Sequence, residues 1–230
     1  MTFDFKNNGF VIIPAFKTEK TLNELISRIQ RHCELPIVVV DDGSPVMISD
    51  FENITGIDVI RHEQNKGKGE ALRTGFKFAL ESGASFVITV DADLQHPPEL
   101  IPSFIDAYRS NPEAVIVGSR KRDNHMPFHR RLSNCITSFL VSLRTGKTIK
   151  DVQCGLRLIP AEYIPHLLSG SKGFVFETEM IIRLSDRHVP FVFCPIPTIY
   201  MKEGHSSIAH VKDTINFITM YIRSLFRRDI

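Results

Sequence analysis

The chain has 230 residues, is 43% hydrophobic and 23% charged, and carries a formal net charge of +2. That length suits one α/β domain with a sizeable core, and the near-balanced charge gives no case for a nucleic-acid partner. Its four cysteines, Cys33, Cys135, Cys154 and Cys194, stand far apart with no CxxC pair, which argues against a zinc site or a disulfide framework and for reduced thiols in a cytosolic protein.

The opening residues, Met1 to Asn8, are polar and lack the apolar core of a secretory signal. Phe10-Val11-Ile12-Ile13 reads as a short strand closed by Pro14. Thr18 to His32 reads as a helix, with Leu22, Leu25, Ile26 and Ile29 on one face and Thr18 or Thr21 as its cap. Ile37 to Val40 is a second buried strand, and the Asp41-Asp42-Gly43-Ser44-Pro45 that follows makes a tight loop at its carboxyl end. Asp58 to Arg61 is a third strand. It leads through Asn65-Lys66-Gly67-Lys68-Gly69 into a helix from about Glu70 to Ser82. A glycine loop opening a helix offers backbone N–H groups and cations to an anion. It fits neither the Rossmann fingerprint, because Leu72 replaces the third glycine, nor a Walker loop. Strand, helix, strand, strand, helix, strand is a nucleotide-binding pattern on a mainly parallel sheet.

The most telling stretch comes next, Val87-Ile88-Thr89-Val90-Asp91-Ala92-Asp93-Leu94-Gln95-His96-Pro97. A Val- and Ile-rich run reads as a strand buried on both faces, and it ends in two acids spaced i, i+2. Carboxylates at the end of such a strand lie at the crevice where open α/β sheets bind ligands. With Gln95 they form a hard oxygen set suited to Mg²⁺ or Mn²⁺ bridging a diphosphate.

Glu99 to Ser110 is then a helix, and Ala114 to Val117 a strand running into Gly118-Ser119-Arg120. Lys121, Arg122, Arg130 and Arg131 make this the most cationic part of the chain, at the same sheet edge as the acids, which favours holding a phosphate. His125 and His129 do not form a zinc pair, because Pro127 between them breaks a common helical face. A helix from Arg131 to Leu143, the Asp151 to Arg157 segment, a helix opening at Gly173 to Glu179, and a strand at Phe191 to Phe193 complete the body. Glu177 and Glu179 also suit the start of a helix through its dipole. Val211, Ile215, Ile218, Ile222 and Leu225 stripe a C-terminal helix with a basic end. Such a stripe packs on a core, forms an oligomer, or lies on a membrane surface. No run reaches the roughly 18 apolar residues of a membrane span.

Phe10 to Ala15, Asp41 to Ser44, Asn65 to Gly69, Asp91 to Pro97, Gly118 to Arg120, Asp151 to Arg157 and Phe176-Glu177 occur in that order. Together they resemble the family 2 glycosyltransferases with the GT-A fold, in particular the dolichyl- and polyprenyl-phosphate sugar synthases, over roughly residues 9 to 207. The resemblance implies an α/β GT-A domain at 1–207, with 208–230 an amphipathic helix. It implies an inverting, metal-dependent hexose transfer from a GDP- or UDP-sugar to a polyprenyl or dolichyl phosphate, with Mg²⁺ or Mn²⁺ as cofactor. Residue by residue, Pro14, Ala15, Asp41, Asp42 and Lys68 belong to the nucleotide site, Asp91 and Ala92 lie against the donor, and Asp93 and Gln95 ligate the metal. Arg120 and one of Arg130 or Arg131 match positions that hold an acceptor phosphate.

A phosphate acceptor is already ionised and needs no base, whereas a saccharide hydroxyl does; Asp151 and Glu177 are the candidates for that second chemistry. The chain departs from many relatives in lacking an arginine and a Ser-Lys pair near the end of the domain, where Lys202 or His205 is left to meet the donor phosphates. It also stops without transmembrane helices, so a lipid acceptor is reached from the membrane surface or through a membrane partner. The expected location is cytoplasmic, at the inner face of the cytoplasmic membrane, with a homodimer as one use of the tail. A sugar-phosphate nucleotidyltransferase is disfavoured because Pro14-Ala15-Phe16-Lys17 lacks its glycine-rich loop. A non-catalytic nucleotide-sugar binding module is disfavoured because all the acids are present.

Overall fold

The computed structural model describes residues 8–48, 56–120, 128–199 and 209–226, apart from the side chains of 128–130 and 209–213. In chain order the elements are β1 (Gly9–Ala15), α1 (Leu22–His32), β2 (Ile37–Asp41), β3 (Ile57–Arg61), α2 (Lys68–Glu81), β4 (Phe86–Thr89) and α3 (Ile101–Ser110). They continue with β5 (Val115–Arg120), α4 (Phe128–Thr145), β6 (Arg157–Pro160), α5 (Val175–Asp186), β7 (Phe191–Ile196) and α6 (Ala209–Phe226). The strands form one seven-stranded sheet in the order β3-β2-β1-β4-β6-β5-β7.

The sheet is mainly parallel, as the strand and helix pattern predicts. β1 pairs with β2 (Val11 opposite Ile37, Ala15 opposite Asp41) and with β4 (Phe10 opposite Val87). The direction of strand addition reverses between β1 and β4, and at such a switch point the crevice beyond the carboxyl ends is the natural ligand site. β6 is the exception, antiparallel to both β4 and β5. Sequence periodicity does not reveal it, because four residues that begin with a charge (Arg157) and end at Pro160 carry no alternating pattern. Being antiparallel, it brings its beginning to the edge where its neighbours end.

Alternate side chains of the Val- and Ile-rich strands enter two cores. Val11, Ile13, Val39 and Ile88 join Leu22, Leu25, Ile29 and Phe104 on the α1/α3 face. Ile12, Val38, Val40 and Val87 join Leu72, Phe76, Phe176 and Met180 on the α2/α5 face. A third cluster ties α4 to α5 and α6 through Val141, Ile149, Val175, Ile181, Ile182 and Met220. Arg144 reinforces it with two 2.9 Å bonds to Asp186 of α5 and a 2.8 Å bond from Nε to Ser224 O of α6.

Two local expectations change. Thr21 does stand at the N-cap of α1, but its hydroxyl makes no cap bond. It donates instead to Ala92 O at 2.5 Å, tying the helix start to the acidic loop. In α6 the predicted stripe is not the packed face: Ile215, Ile218, Ile222 and Leu225 are exposed, while Met220 and Ser224 are buried with Phe217 and Tyr221 partly so. Residues 217, 220, 221 and 224 also follow helical spacing, so the helix has a second apolar side, and that side meets the body. Tyr221 Oη donates to Leu140 O at 3.0 Å along this seam.

Candidate active site

The carboxyl edge is built first by loop-bracing acids. Asp41 is fully buried; Oδ1 accepts from Ser44 N at 2.9 Å, and Oδ2 pairs with Arg61, closing the turn after β2. Asp42 accepts from Lys66 N at 2.9 Å, Gly67 N at 2.8 Å and His62 Nδ1 at 2.7 Å, which fixes the glycine loop against the β2 turn. Gly67 has φ +96, and a Cβ there or at Gly69 would strike the backbone at Lys172. Gly69 N and Glu70 N both donate to Lys172 O, at 2.7 and 3.3 Å. The backbone N–H groups expected to attract an anion at the start of α2 are therefore spent on the protein itself. What the loop offers an anion is the side chain of Lys68. Pro14 and Ala15, at the end of β1, form the floor beside this loop, Asp42 N donating to Ala15 O at 2.8 Å.

Lys68 is nearly buried and bridges two acids from distant segments, Asp91 at 2.7 Å and Glu177 at 2.9 Å. Burial alone would lower its ammonium, but the charges of Asp91 and Glu177 outweigh that and hold it above its ordinary value. The other oxygen of Glu177 faces Arg157 Nη1 at 3.3 Å, and Arg157, fully buried, donates from Nη2 to Val152 O at 2.7 Å. For Asp91, burial would raise the carboxyl, yet Lys68 and then other nearby cations keep it below the usual range.

Asp93 differs from Asp91. Its side chain is 47% exposed, and its contacts with Gln95 N (3.0 Å) and His96 Nδ1 (4.0 Å) both fall on Oδ1. Burial of its inner side and the charge of Asp91 push its carboxyl up to about 6. Leu94, between the ligand candidates, adopts φ 59 with its side chain buried in the core. A non-glycine residue in that region costs on the order of 1–3 kcal/mol, and packing of the leucine holds it there. The outcome is a turn that presents Asp93 and Gln95 on the crevice side of a buried anchor.

His96 is 2% exposed, and Gly155 N donates to its Nε2 at 3.2 Å. An accepting Nε2 places the ring proton on Nδ1, and burial pushes the imidazole down to about 4, against the pull of Asp91. That Nδ1 is buried without a hydrogen-bond partner, which costs about 1–3 kcal/mol. Gly155 also packs against Asp91, so that a Cβ would run into the carboxylate, and its carbonyl accepts from Thr89 Oγ1 at 2.8 Å.

Across the crevice, Arg120 and Asp151 form one unit. Arg120 donates to Asp151 from Nε (2.7 Å), Nη2 (3.0 Å) and its backbone N (3.2 Å). Asn134 Nδ2 of α4 and Gln153 N add bonds to Asp151 Oδ1 at 3.3 and 3.1 Å. Burial would raise Asp151, but the Arg120 bonds and charge hold it below the usual carboxylate range. Arg131 lies in the first turn of α4. The side chain of Arg130 and both Lys202 and His205 lie outside the described residues.

This geometry meets known proteins at the level of both sequence and shape. Residues 10–168 match the family model described as glycosyl transferase family 2. The chain belongs to that family. The transferase is 32% identical to UDP-N-acetylglucosamine–dolichyl-phosphate N-acetylglucosaminyltransferase of Methanococcus voltae, the match covering 83% of this chain and 85% of the relative. It is 34% identical to dolichol-phosphate mannosyltransferase of Pyrococcus furiosus over 80% of this chain and 55% of the relative. In shape it is similar to glucosyl-3-phosphoglycerate synthase of Mycobacterium tuberculosis, a structure containing Mn²⁺ and UDP-glucose. That superposition has a TM-score of 0.74 at 18% identity and covers 93% of this chain and 78% of the other. The fold of the transferase is GT-A.

Among its described residues the transferase has no cluster of three or more His, Cys, Asp or Glu able to hold a metal ion alone. The donors present fit a different arrangement. Among the described residues Asp93 makes its hydrogen bond and its ion pair through Oδ1, and Gln95 offers an amide oxygen. An Mg²⁺-type ion commonly takes one or two protein oxygens and completes its shell with water and substrate phosphates. Asp91, already paired with Lys68, is placed to balance charge around such an ion. Three residues, His96, Arg157 and Thr89, stand inside the motifs without a role assigned from sequence. His96 sits inside the acidic motif, where an adjacent ring nitrogen was a usable signal. Arg157 and Thr89 act through β6, and without that strand no spacing links them to the acids.

Proposed function

We propose that the transferase moves a hexose, with inversion, from a nucleoside-diphosphate sugar to a polyprenyl-phosphate acceptor, with Mg²⁺ or Mn²⁺ at Asp93 and Gln95. The observation that carries the acceptor reading is the Arg120–Asp151 unit at the root of α4. Its guanidinium is fixed by two bonds to a buried carboxylate, and its backbone N adds a third, so it is an oriented cation with little entropy left to lose on meeting an anion. Asn134, which also holds Asp151, lies on the inner side of α4, and Leu132, Ile136, Phe139 and Leu143 line the outer side, exposed. Ile215, Ile218, Ile222 and Leu225 of α6, a helix joined to α4 through Tyr221 and Leu140, are exposed as well, so apolar surface accompanies the cation proposed to hold the phosphate. A lipid phosphate has both parts. The Methanococcus and Pyrococcus relatives, whose names carry dolichyl or dolichol phosphate, support this reading.

The chemistry follows from charge. An ionised oxygen of the acceptor phosphate attacks the anomeric carbon from the side opposite the leaving group. The bond from that carbon to the diphosphate oxygen breaks, and its electron pair leaves with the nucleoside diphosphate. No proton has to move. A divalent ion held by Asp93 and Gln95 would stabilise the charge arriving on the diphosphate. Lys68, held by Asp91 and Glu177, supplies a fixed positive charge on the same side, and Asp42 and Asp41 keep the nucleotide loops in place. A sugar hydroxyl as acceptor would require a base, and neither candidate suits that role. The Arg120 bonds and charge make Asp151 a weaker proton acceptor, and the oxygens of Glu177 are engaged by Lys68 and Arg157. No helix among the described residues is long and apolar enough to cross a membrane.

The test is transfer of radiolabelled hexose from UDP- and GDP-sugars onto short polyprenyl phosphate with Mn²⁺. Product carrying the label through phosphate, lost in Asp93→Ala by about 100-fold or more, is the expected result. Label appearing only on saccharide acceptors, or undiminished transfer by the Asp93 variant, would remove the acceptor or the metal from the reading.

A further inference from the structure

We propose that His96 is the positioning residue of the metal motif: its Nδ1–H is the donor that orients the Asp93 carboxylate when a divalent ion binds. This deepens the metal reading above and rests on it. Gly155 N donates to Nε2 at 3.2 Å, which leaves Nδ1 protonated. The Nδ1 nitrogen is buried and has no hydrogen-bond partner. Among the described residues the carboxylate oxygen within 4.0 Å of it is Asp93 Oδ1, beyond hydrogen-bond reach by about 1 Å. A small rotation of the half-exposed carboxylate closes that gap. Oδ1 would then accept from both Gln95 N, already at 3.0 Å, and the imidazole, and Oδ2 would be held toward the ion. Carboxylates that ligate metals are commonly oriented by such outer hydrogen bonds, whose loss weakens metal affinity about 10–100-fold.

The alternative is that His96 merely fills space. Two features oppose it. A ring needed only for packing has no reason to keep an unpaired N–H in a dry site beside carboxylates. The same ring, through Gly155, also reaches the residue that packs on Asp91 and is tied to Thr89. His96 therefore joins the loop before β6 to the turn that carries Asp93, and it can register both acids against one ion.

Two substitutions separate the ring's two nitrogens. In His96→Gln the side-chain carbonyl can keep the bond from Gly155 N but offers no donor at the Nδ1 position. In His96→Asn the amide nitrogen occupies the Nδ1 position and keeps the donor toward Asp93. Mn²⁺ affinity is read from the free-ion paramagnetic resonance signal with UDP or GDP saturating, and apo melting temperatures are read in parallel. The expected result is Mn²⁺ affinity about 10-fold or more weaker in His96→Gln and restored to within about 3-fold of wild type in His96→Asn. Equal affinity in wild type and His96→Gln, or equal weakening in both variants, overturns the positioning role. Wild type binding Mn²⁺ no better than Asp93→Ala overturns the metal reading itself, a separate failure. A measurement on the unaltered chain guards against misfolded variants. Its histidine Nδ1–H resonance should move downfield and exchange more slowly when Mg²⁺ and UDP or GDP are added. No movement overturns the proposal.

Discussion

At the scale of single residues, the site depends on close approaches that leave no room for a methyl group. Gly155 lies against the Asp91 carboxylate, so Gly155→Ala displaces Asp91 and with it the Lys68 bridge. Misplacement of a positioning group by about 1 Å can cost on the order of 100-fold in rate. Turnover should fall by about that factor in a variant that retains its near-ultraviolet circular dichroism; unchanged turnover would break the link between Gly155 and the acid. Asp151 permits a test with a sign. Its carboxyl lies below the ordinary value of about 3.9, so it adds stability above that value and loses it as pH falls through the lowered one. Asp151→Asn should then be destabilised by about 3 kcal/mol at pH 7, as for a broken buried pair, and the deficit should shrink below about pH 4. Urea midpoints at pH 7 and pH 3 check it; a constant deficit would mean that charge is not the cause. Much of this was legible: Asp91, Asp93 and Arg120 stand out as charges at strand ends, Gln95 as an amide beside the acids, and Lys68 as a cation in a glycine loop that opens a helix. That Asp151 pairs with Arg120, and Glu177 with Lys68 and Arg157, was not legible, since ion pairing across 31 or 109 residues leaves no local pattern.

At the scale of elements, the strands and most helices follow from buried Val and Ile runs and 3.6-residue spacing, with ends shifted by a few residues. β6 does not follow, and α6 follows only by half. Its predicted stripe faces solvent because the side that packs against α4 and α5 is built from Phe217, Met220, Tyr221 and Ser224, two of them aromatic and two bearing hydroxyls. A helix with two usable apolar sides defeats a single periodicity. The outward stripes of α4 and α6 give a clean prediction. Phe139 and Ile218 are 65% and 49% exposed, so changing both to Glu removes no core contact and should leave the melting temperature within about 2 °C, the range of surface substitutions. Sedimentation with anionic phospholipid vesicles should nevertheless fall several-fold. If binding to vesicles is unaffected and a dimer dissociates instead, the face is a contact between two copies.

At the scale of the whole molecule, burial separates the thiols by reactivity. Cys154 is fully buried between β5 and the acidic loop, and burial, followed by the charge of Asp151, pushes its thiol up to about 12. The exposed Cys135 should be alkylated by iodoacetamide within minutes at pH 8, and Cys154 only at the rate of global opening. Mass spectrometry of the labelled peptides reads both; rapid labelling of Cys154 would reveal a looser active-site floor than the structure describes. The antiparallel strand has a further consequence, for synthesis. β4 ends at Thr89, and the partner for its free side, β6, spans Arg157–Pro160. The first four strands can assemble as the chain emerges, yet one edge of that half-sheet stays uncovered until some 70 more residues have been made. At about 5–20 residues per second that is roughly 4–14 s, a window in which the nascent chain presents an open template for wrong partners. The strand that unites the two halves of the active site is thus also the one that shields the open edge of the first half-sheet.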